Sequence, residues 1–268
     1  MMLLWPALAF VIPLVSSYQR DGNPVGFVLH ARLNRVPVKL LLDSGASSVV
    51  LTAESARRVG LVPQGESRLG GIDPRRWTPA RRATGATLEA GEVTLCGIEV
   101  DIVADRPAFG ADGLVGTDVF RDHQIRLDGR RRTLELLPPG DADPGGLPMR
   151  RVGHAILVPV RVNGRSAESF LLDSGAAYSV VDSSGAVPGL DAVSLNGITG
   201  QLTAQSTTPT HFRVGGYSTW ERDVVAMDLG AMNRLYGIQI KGMIGYPVLS
   251  RSILTIDYRN ERVRLSAR

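Results

Sequence analysis

Leu40-Leu41-Leu42-Asp43-Ser44-Gly45-Ala46 recurs in the second half of the chain as Phe170-Leu171-Leu172-Asp173-Ser174-Gly175-Ala176. In each copy a short apolar run of buried-strand type leads into a carboxylate. Ser-Gly follows, which suits a tight turn where backbone comes close to another group. A carboxylate at the mouth of a buried strand needs a reason. The matched surroundings supply one: two halves that face each other bring Asp43 and Asp173 together as a general acid/base pair acting on a water molecule.

The repeat extends outward from these stretches. Leu69-Gly70-Gly71-Ile72 is answered by Leu195-Asn196-Gly197-Ile198, and Asp112-Gly113-Leu114-Val115-Gly116 by Lys241-Gly242-Met243-Ile244-Gly245. Leu127-Asp128 and the strand to Leu136 match Ile256-Asp257 and the strand to Leu265. Asp43 and Asp173 are 130 residues apart, and Gly116 and Gly245 are 129 apart. A single order at nearly one offset makes the chain a duplication. Its halves are residues 18–138 and 150–268, joined by a linker at 139–149 centred on the breaker-rich Pro138-Pro139-Gly140-Asp141-Ala142-Asp143-Pro144-Gly145-Gly146.

Local patterning is that of strands. Phe27 to Leu33 alternates and Val36 to Leu42 follows a turn at Asn34-Arg35; Ile156 to Val162 and Glu168 to Leu172 flank Asn163-Gly164, a strong hairpin signal. Ser48 to Leu51 reads as a strand, and Thr52 as the cap of a short helix that Gly60 ends. Further strands are expected near Ala86 to Leu88, Glu92 to Leu95 and Glu99 to Val103, with a last hairpin of the half around Asp128-Gly129. The stretch Asp182 to Pro188 is too short and too rich in Gly and Pro to repeat the helix. The fold class is therefore all-β in two lobes.

The 268 residues carry 30 Gly and 16 Pro, consistent with many turns and few long helices. A formal charge of +4 is modest. Arg130-Arg131-Arg132 lacks neighbouring aromatics and reads as solvated surface, so no nucleic-acid partner is expected. The single cysteine, Cys96, excludes an intrachain disulfide and a cysteine-based zinc cluster, and is expected in the core. Met1 to Val15 is apolar and Ser16-Ser17 follows, so residues 1–17 read as a secretory signal or an uncleaved N-terminal anchor. The run is short for a membrane span, which takes about 20 residues. Export to a bacterial periplasm or beyond is expected, and membrane contact only through that segment.

Apolar-apolar-Asp-Ser-Gly-Ala followed about 70 residues later by apolar-apolar-Gly resembles the lobe of an aspartic protease. The alanine after Ser-Gly resembles the retroviral-protease branch more than the pepsins, while two such lobes in one chain resemble the fused pepsin-like architecture. The likeness covers roughly residues 24 to 268. It implies two retropepsin-like β-barrel lobes, a cleft between them, and hydrolysis of peptide bonds by an endopeptidase without cofactor or metal. It makes Asp43 and Asp173 the catalytic pair, with Ser44 and Ser174 cross-bracing the loops and Gly45 and Gly175 permitting their approach. Gly116 and Gly245 would pack beneath the aspartates. Gly70, Gly71, Ile72, Gly197 and Ile198 fall at flap hairpins that close over an extended peptide or protein substrate, and Trp77 either contacts substrate or packs. A monomer would suffice, no inhibitory prosegment is expected, and the alanine-type loops imply a mildly acidic to near-neutral optimum.

Other chemistries lack their signatures. His30, His123, His154 and His211 are isolated, with no His-Glu-x-x-His, and no Gly-x-Ser-x-Gly or phosphate-binding Gly-rich loop occurs. Each histidine reads as structural or exposed. The rival from another class is a non-catalytic module that keeps the cleft and flaps to bind an extended peptide, and a second rival is a peptidase dedicated to one exported protein.

Overall fold

Short, continuously buried strands build the centre of the fold and alternating ones its flanks, and the turns between them fix the register. The computed structural model describes residues 9–18, 24–73, 75–104, 110–140, 143–185 and 188–267. The first lobe runs β1 (Phe10–Tyr18), β2 (Pro24–Leu33), β3 (Val36–Asp43), β4 (Val49–Thr52), α1 (Ala53–Arg58), β5 (Gly65–Leu69), β6 (Thr78–Ala90), β7 (Val93–Val103), β8 (Gly113–Gly116), β9 (Gln124–Asp128) and β10 (Thr133–Leu137). The second lobe begins with β11 (Leu147–Pro148), β12 (Arg150–Val152), β13 (Ala155–Val162), β14 (Glu168–Leu172) and β15 (Ser179–Asp182). It continues with β16 (Pro188–Gly197), β17 (Gly200–Thr207), β18 (Thr210–Val214), β19 (Tyr217–Glu221) and β20 (Val224–Met227). It ends with α2 (Gly230–Tyr236), β21 (Gly242–Ile244), α3 (Tyr246–Leu249), β22 (Ile253–Asp257) and β23 (Arg262–Ser266).

Asn34 and Arg35, at φ 49° and 66°, turn β2 into β3, and Asn163 and Gly164, at φ 50° and 76°, do the same between β13 and β14. Successive positive φ values match the twist of paired strands. Thr52 accepts a hydrogen bond from the Ser55 amide and starts α1, while Gly60 at φ 71° follows its end. In the first lobe β8 inserts between β3, to which it is parallel, and β4, to which it is antiparallel. In the second, β21 inserts in the same way between β14 and β15. Asp43 thus ends a strand buried on both sides, and Asp173 follows one.

The lobes share a sheet. β9 pairs antiparallel with β22, with Leu127 opposite Leu254 and Ile125 opposite Ile256, all four buried. The terminal hairpin of the second lobe thereby joins a 13-stranded sheet that continues through the first lobe, and β11, at the end of the linker, adds to its edge. Division at the linker describes the repeat, whereas hydrogen bonding joins the halves.

Three expectations change. The strands expected near Ala86, Glu92 and Glu99 are parts of one long hairpin, β6 and β7, whose register shifts between Ala83 and Leu88 absorb the irregular pattern. Cys96 is exposed on β7, because it lies with Thr94 on the outward face of the strand, opposite the face on which Val93 enters the core. Phe10 to Ser17, expected in a leader, forms β1: Phe10–Pro13 pair with β10 and Leu14–Tyr18 with β2, and Ile12 and Leu14 are buried. An apolar run with two sheet partners has its backbone groups satisfied inside the fold. Residues 1–8 of the expected leader, and 141–142 of the linker, lie outside the described residues. Among the described residues no helix is long and apolar enough to cross a membrane.

Because Ile12 and Leu14 fill the seam between two sheet segments, Ile12→Ala and Leu14→Ala should each destabilise the protein by about 2–5 kcal/mol, the range for emptying such a core position. Urea unfolding measures this, and losses below about 0.5 kcal/mol would show that β1 is dispensable.

Candidate active site

Asp43 and Asp173 meet at the pseudo-twofold axis between the lobes. Their carboxyl groups are hydrogen-bonded to each other and partly buried between the two loops. Each also accepts from the backbone two residues on: Gly45 N–H to Asp43 Oδ1 at 2.8 Å, and Gly175 N–H to Asp173 Oδ1 at 3.0 Å. The serines between them cross the boundary. The Ser44 amide donates to Ser174 Oγ at 3.0 Å and the Ser174 amide to Ser44 Oγ at 2.9 Å. Each hydroxyl then donates to the strand behind the opposite aspartate, Ser44 Oγ to Leu172 O at 3.0 Å and Ser174 Oγ to Leu42 O at 2.7 Å. Both serines are buried, so the four bonds act without competition from water.

Close approach explains the glycines. A Cβ on Gly175 would stand 2.7 Å from Asp43 Cγ, and one on Gly45 would stand 3.1 Å from Asp173 Cγ. Below the loops, a Cβ on Gly116 would meet the Ala46 carbonyl at 2.4 Å and one on Gly245 the Tyr178 carbonyl at 2.3 Å. No side chain fits beneath either aspartate.

Burial raises the pKa of Asp43 well above the usual carboxylate range, and the charge of Asp173 raises it further. Burial also raises Asp173, while backbone N–H groups and the hydrogen bond from Asp43 work in the opposite direction. Two carboxyl groups in this position hold a proton between them and titrate as a unit. Such a pair can give a proton on one side and accept one on the other.

The residues expected at the flaps meet one another across the lobes. The β5–β6 tip carries Gly70, Gly71 and Ile72, and the β16–β17 tip carries Gly197 and Ile198. The tips interlock: the Asp73 amide donates to Thr199 Oγ1 at 3.0 Å, and Thr78 Oγ1 to Ile198 O at 2.6 Å. Ile72 packs against the apolar cluster of the second lobe, and Ile198 against a cluster of the first formed by Val28, Leu41, Val50, Ala80, Val103 and Leu114. Trp77 lies beside the first tip, 41% exposed, with the Arg68 guanidinium 4.7 Å above its ring. Trp77 packs on Arg68, and no contact places it on the dyad.

A sequence model of the family described as "Aspartyl protease" matches residues 29–119, the core of the first lobe. Protein DDI1 homolog 1 of Bos taurus is 28% identical over 141 residues, covering 46% of this chain and 33% of that protein. Protein DDI1 homolog 2 of Danio rerio is 27% identical over 122 residues, covering 42% and 27%. The chain therefore spans about a third or less of the length of these curated relatives. A crystal structure of aspartic proteinase from Irpex lacteus superposes with a TM-score of 0.61 over 97% of both chains, at 14% identity, a likeness of fold. The likeness in sequence is thus to aspartyl proteases over the first lobe, and the likeness in fold extends over both lobes.

Several residues around this pair of aspartates escaped the sequence reading. His154, in the turn between β12 and β13, is hydrogen-bonded to the Gly45 backbone, and burial lowers its pKa. No spacing rule links positions 154 and 45; only the closed fold does. Asp101, nearly fully buried, accepts from Ser48 Oγ at 3.1 Å, Ser67 Oγ at 2.7 Å and Arg82 Nε at 3.0 Å, tying the first flap to the strand beside the dyad. An acidic residue inside the apolar alternation of β7 was its only sequence signal. Thr199, beside Ile198, was visible only as a polar residue at a flap tip.

Ser44→Ala removes the acceptor of the Ser174 amide and the donor to Leu172 O. Each buried group left unpaired costs about 1–3 kcal/mol. Denaturant unfolding should therefore show Ser44→Ala and Ser174→Ala destabilised by similar amounts, within that range or above it. A large loss in only one of them would mean that the brace is not reciprocal.

Proposed function

We propose that the chain is an aspartic endopeptidase whose substrate is an extended peptide or protein segment bound in the cleft beneath the two flaps. The observation that carries this reading is the hydrogen-bonded pair Asp43 and Asp173, partly buried and aligned by reciprocal serine bonds. A binding cleft gains nothing from two carboxyl groups forced together, because their ionisation is costly. A hydrolase gains both an acid and a base.

The proposed reaction needs no covalent intermediate. Water held between the carboxyl groups attacks the peptide carbonyl carbon as its proton passes to the ionised carboxylate. The protonated partner donates to the carbonyl oxygen, giving a neutral tetrahedral diol. The carboxyl that took the water's proton then gives it to the amide nitrogen, the C–N bond breaks as a diol hydroxyl passes its proton to the other carboxylate, and the dyad is again singly protonated. The pKa of Asp43, raised by burial and then by the charge of Asp173, suits it to the acid role at the first step, with Asp173 as the base. The interlocked flaps must part to admit substrate and close again to exclude water.

Apolar residues at both flap tips and along the first-lobe cluster favour hydrophobic side chains beside the scissile bond, presented on a strand that pairs with the flaps. The same reading takes a monomer as the working unit, since one chain supplies both aspartates.

Purified full-length chain should cleave a diverse peptide library, most rapidly at mildly acidic to near-neutral pH. Asp43→Asn and Asp173→Asn should each lose about 10²- to 10⁴-fold or more in kcat, the range for removing a positioned acid or base. Both folded-state carboxyl pKa values are raised, so the fold favours the protonated pair; the dyad's contribution to stability is present at acid pH and is lost as pH rises through the folded values. Either Asn variant should therefore melt at a higher temperature than the parent at neutral pH, with the gap closing toward pH 4. Binding of peptides without turnover by the parent would transfer the assignment to a binding module.

A further inference from the structure

Asp118 lies two residues beyond Gly116, in a single 3-10 turn, Thr117–Phe120, that follows β8. Its Oδ1 is buried and has no hydrogen-bond partner among the described residues. Gly116 locates that oxygen: a Cβ there would stand 2.4 Å from the Ala46 carbonyl oxygen and 2.8 Å from Asp118 Oδ1. Two acceptors thus border one small space behind the loop that carries Asp43. Without a proton between them such atoms repel, and a buried acceptor left unpaired is costly. Ala46 belongs to the catalytic turn itself, its amide donating to Asp43 O at 3.2 Å.

The second lobe meets the same requirement differently. There the Ala176 carbonyl accepts from the Tyr246 amide at 2.9 Å, and Pro247 stands where the repeat places Asp118, so no carboxyl group is present. A carboxyl group with one buried, unpartnered oxygen is particular to the first loop.

We propose that Asp118 is a positioning residue for Asp43, acting as a neutral acid that donates a hydrogen bond to the Ala46 carbonyl and so ties down the first catalytic loop. Burial raises its pKa to about 6, against the opposing influence of Arg121 on the same segment and Arg151 on β12. The remaining titratable neighbour is Tyr258, after β22, which burial keeps protonated and whose hydroxyl lies 2.8 Å from Thr117 Oγ1. Below about pH 6 the acid is neutral and can donate; above it, a carboxylate faces a carbonyl and the tie is lost. The sign for stability follows. A folded-state pKa above the free value of 3.8 makes the contribution of Asp118 full at acid pH and lost as pH rises through about 6.

The test compares the parent with Asp118→Asn, whose amide donates at every pH, and Asp118→Ala, which has no donor. Full-length chains are used, with kcat and KM measured between pH 4 and 8 on a peptide cleaved by the parent, and thermal melting followed in the same buffers. The parent should lose kcat above about pH 6 with little change in KM, Asp118→Asn should hold kcat several-fold higher there, and Asp118→Ala should be low throughout. In melting, Asp118→Asn should gain on the parent as pH rises from 4 to 8. Identical pH dependence of parent and Asp118→Asn in both kcat and melting would overturn the proposal, as would parent-like kcat in Asp118→Ala. The kinetic comparison rests on the peptidase reading, but the melting comparison does not: if no chain cleaves peptide, an Asn variant with the parent's melting profile still overturns the role given to Asp118. Should the Ala variant not fold, the parent and Asn comparison decides alone.

Discussion

Two carboxyl groups held in contact repel each other whenever both ionise, and the remainder of this fold works against that repulsion. The opposing force is not local to either lobe. Each serine after an aspartate bonds the other lobe twice, to its amide and to the carbonyl behind its aspartate. Those bonds hold only if the lobes cannot slide. The pairing of β9 with β22 prevents sliding by continuing one sheet through both halves, with Ile125, Leu127, Leu254 and Ile256 buried at the join. β1 reinforces the first lobe's side of the join by pairing with both β2 and β10.

Symmetry ends a few residues from the dyad. Val50 on β4 faces Asp101 on β7, whereas the matching Val180 on β15 faces Val225 on β20. The first flap is therefore tied to its lobe by a buried carboxylate and Arg82, and the second flap lies over an apolar cluster. The flap tips differ in the same sense: Asp73 offers a backbone donor and Thr199 a side-chain acceptor. Arg75 beside Asp73 also holds the Asp73 carboxyl below its usual pKa, beginning with the hydrogen bond from its own amide. Duplication accounts for the twofold dyad, and later divergence for an asymmetric lid.

The architecture was readable because its signals are local and doubled. Asp43-Ser44-Gly45 means little once, but its return at a constant offset, with Gly116 and Gly245 in step, reports a fold. Asn34-Arg35 and Asn163-Gly164 announced their hairpins through residues that tolerate positive φ. Interactions between lobes left no such trace. The contact of His154 with Gly45, the bond from Thr78 to Ile198 and the surroundings of Asp118 join residues of unrelated sequence spacing. Phe10 to Ser17 misled for a different reason. An apolar run followed by small residues suits either a leader or a strand, and only the open edges of β2 and β10 distinguish the two.

Unequal surroundings bear on how the proton is shared. A pair in identical lobes would have no reason to place its proton on one member. Here the first loop has Asp118 behind it and His154 against Gly45, while the matching second-lobe position behind the loop holds Pro247. A neutral Asp118 in the proposed role steadies the first loop without placing charge behind Asp43. Burial lowers the pKa of His154 and so disfavours a positive charge against that loop. Divergence of the lobes thus gives unequal surroundings to a pair that duplication alone would leave interchangeable.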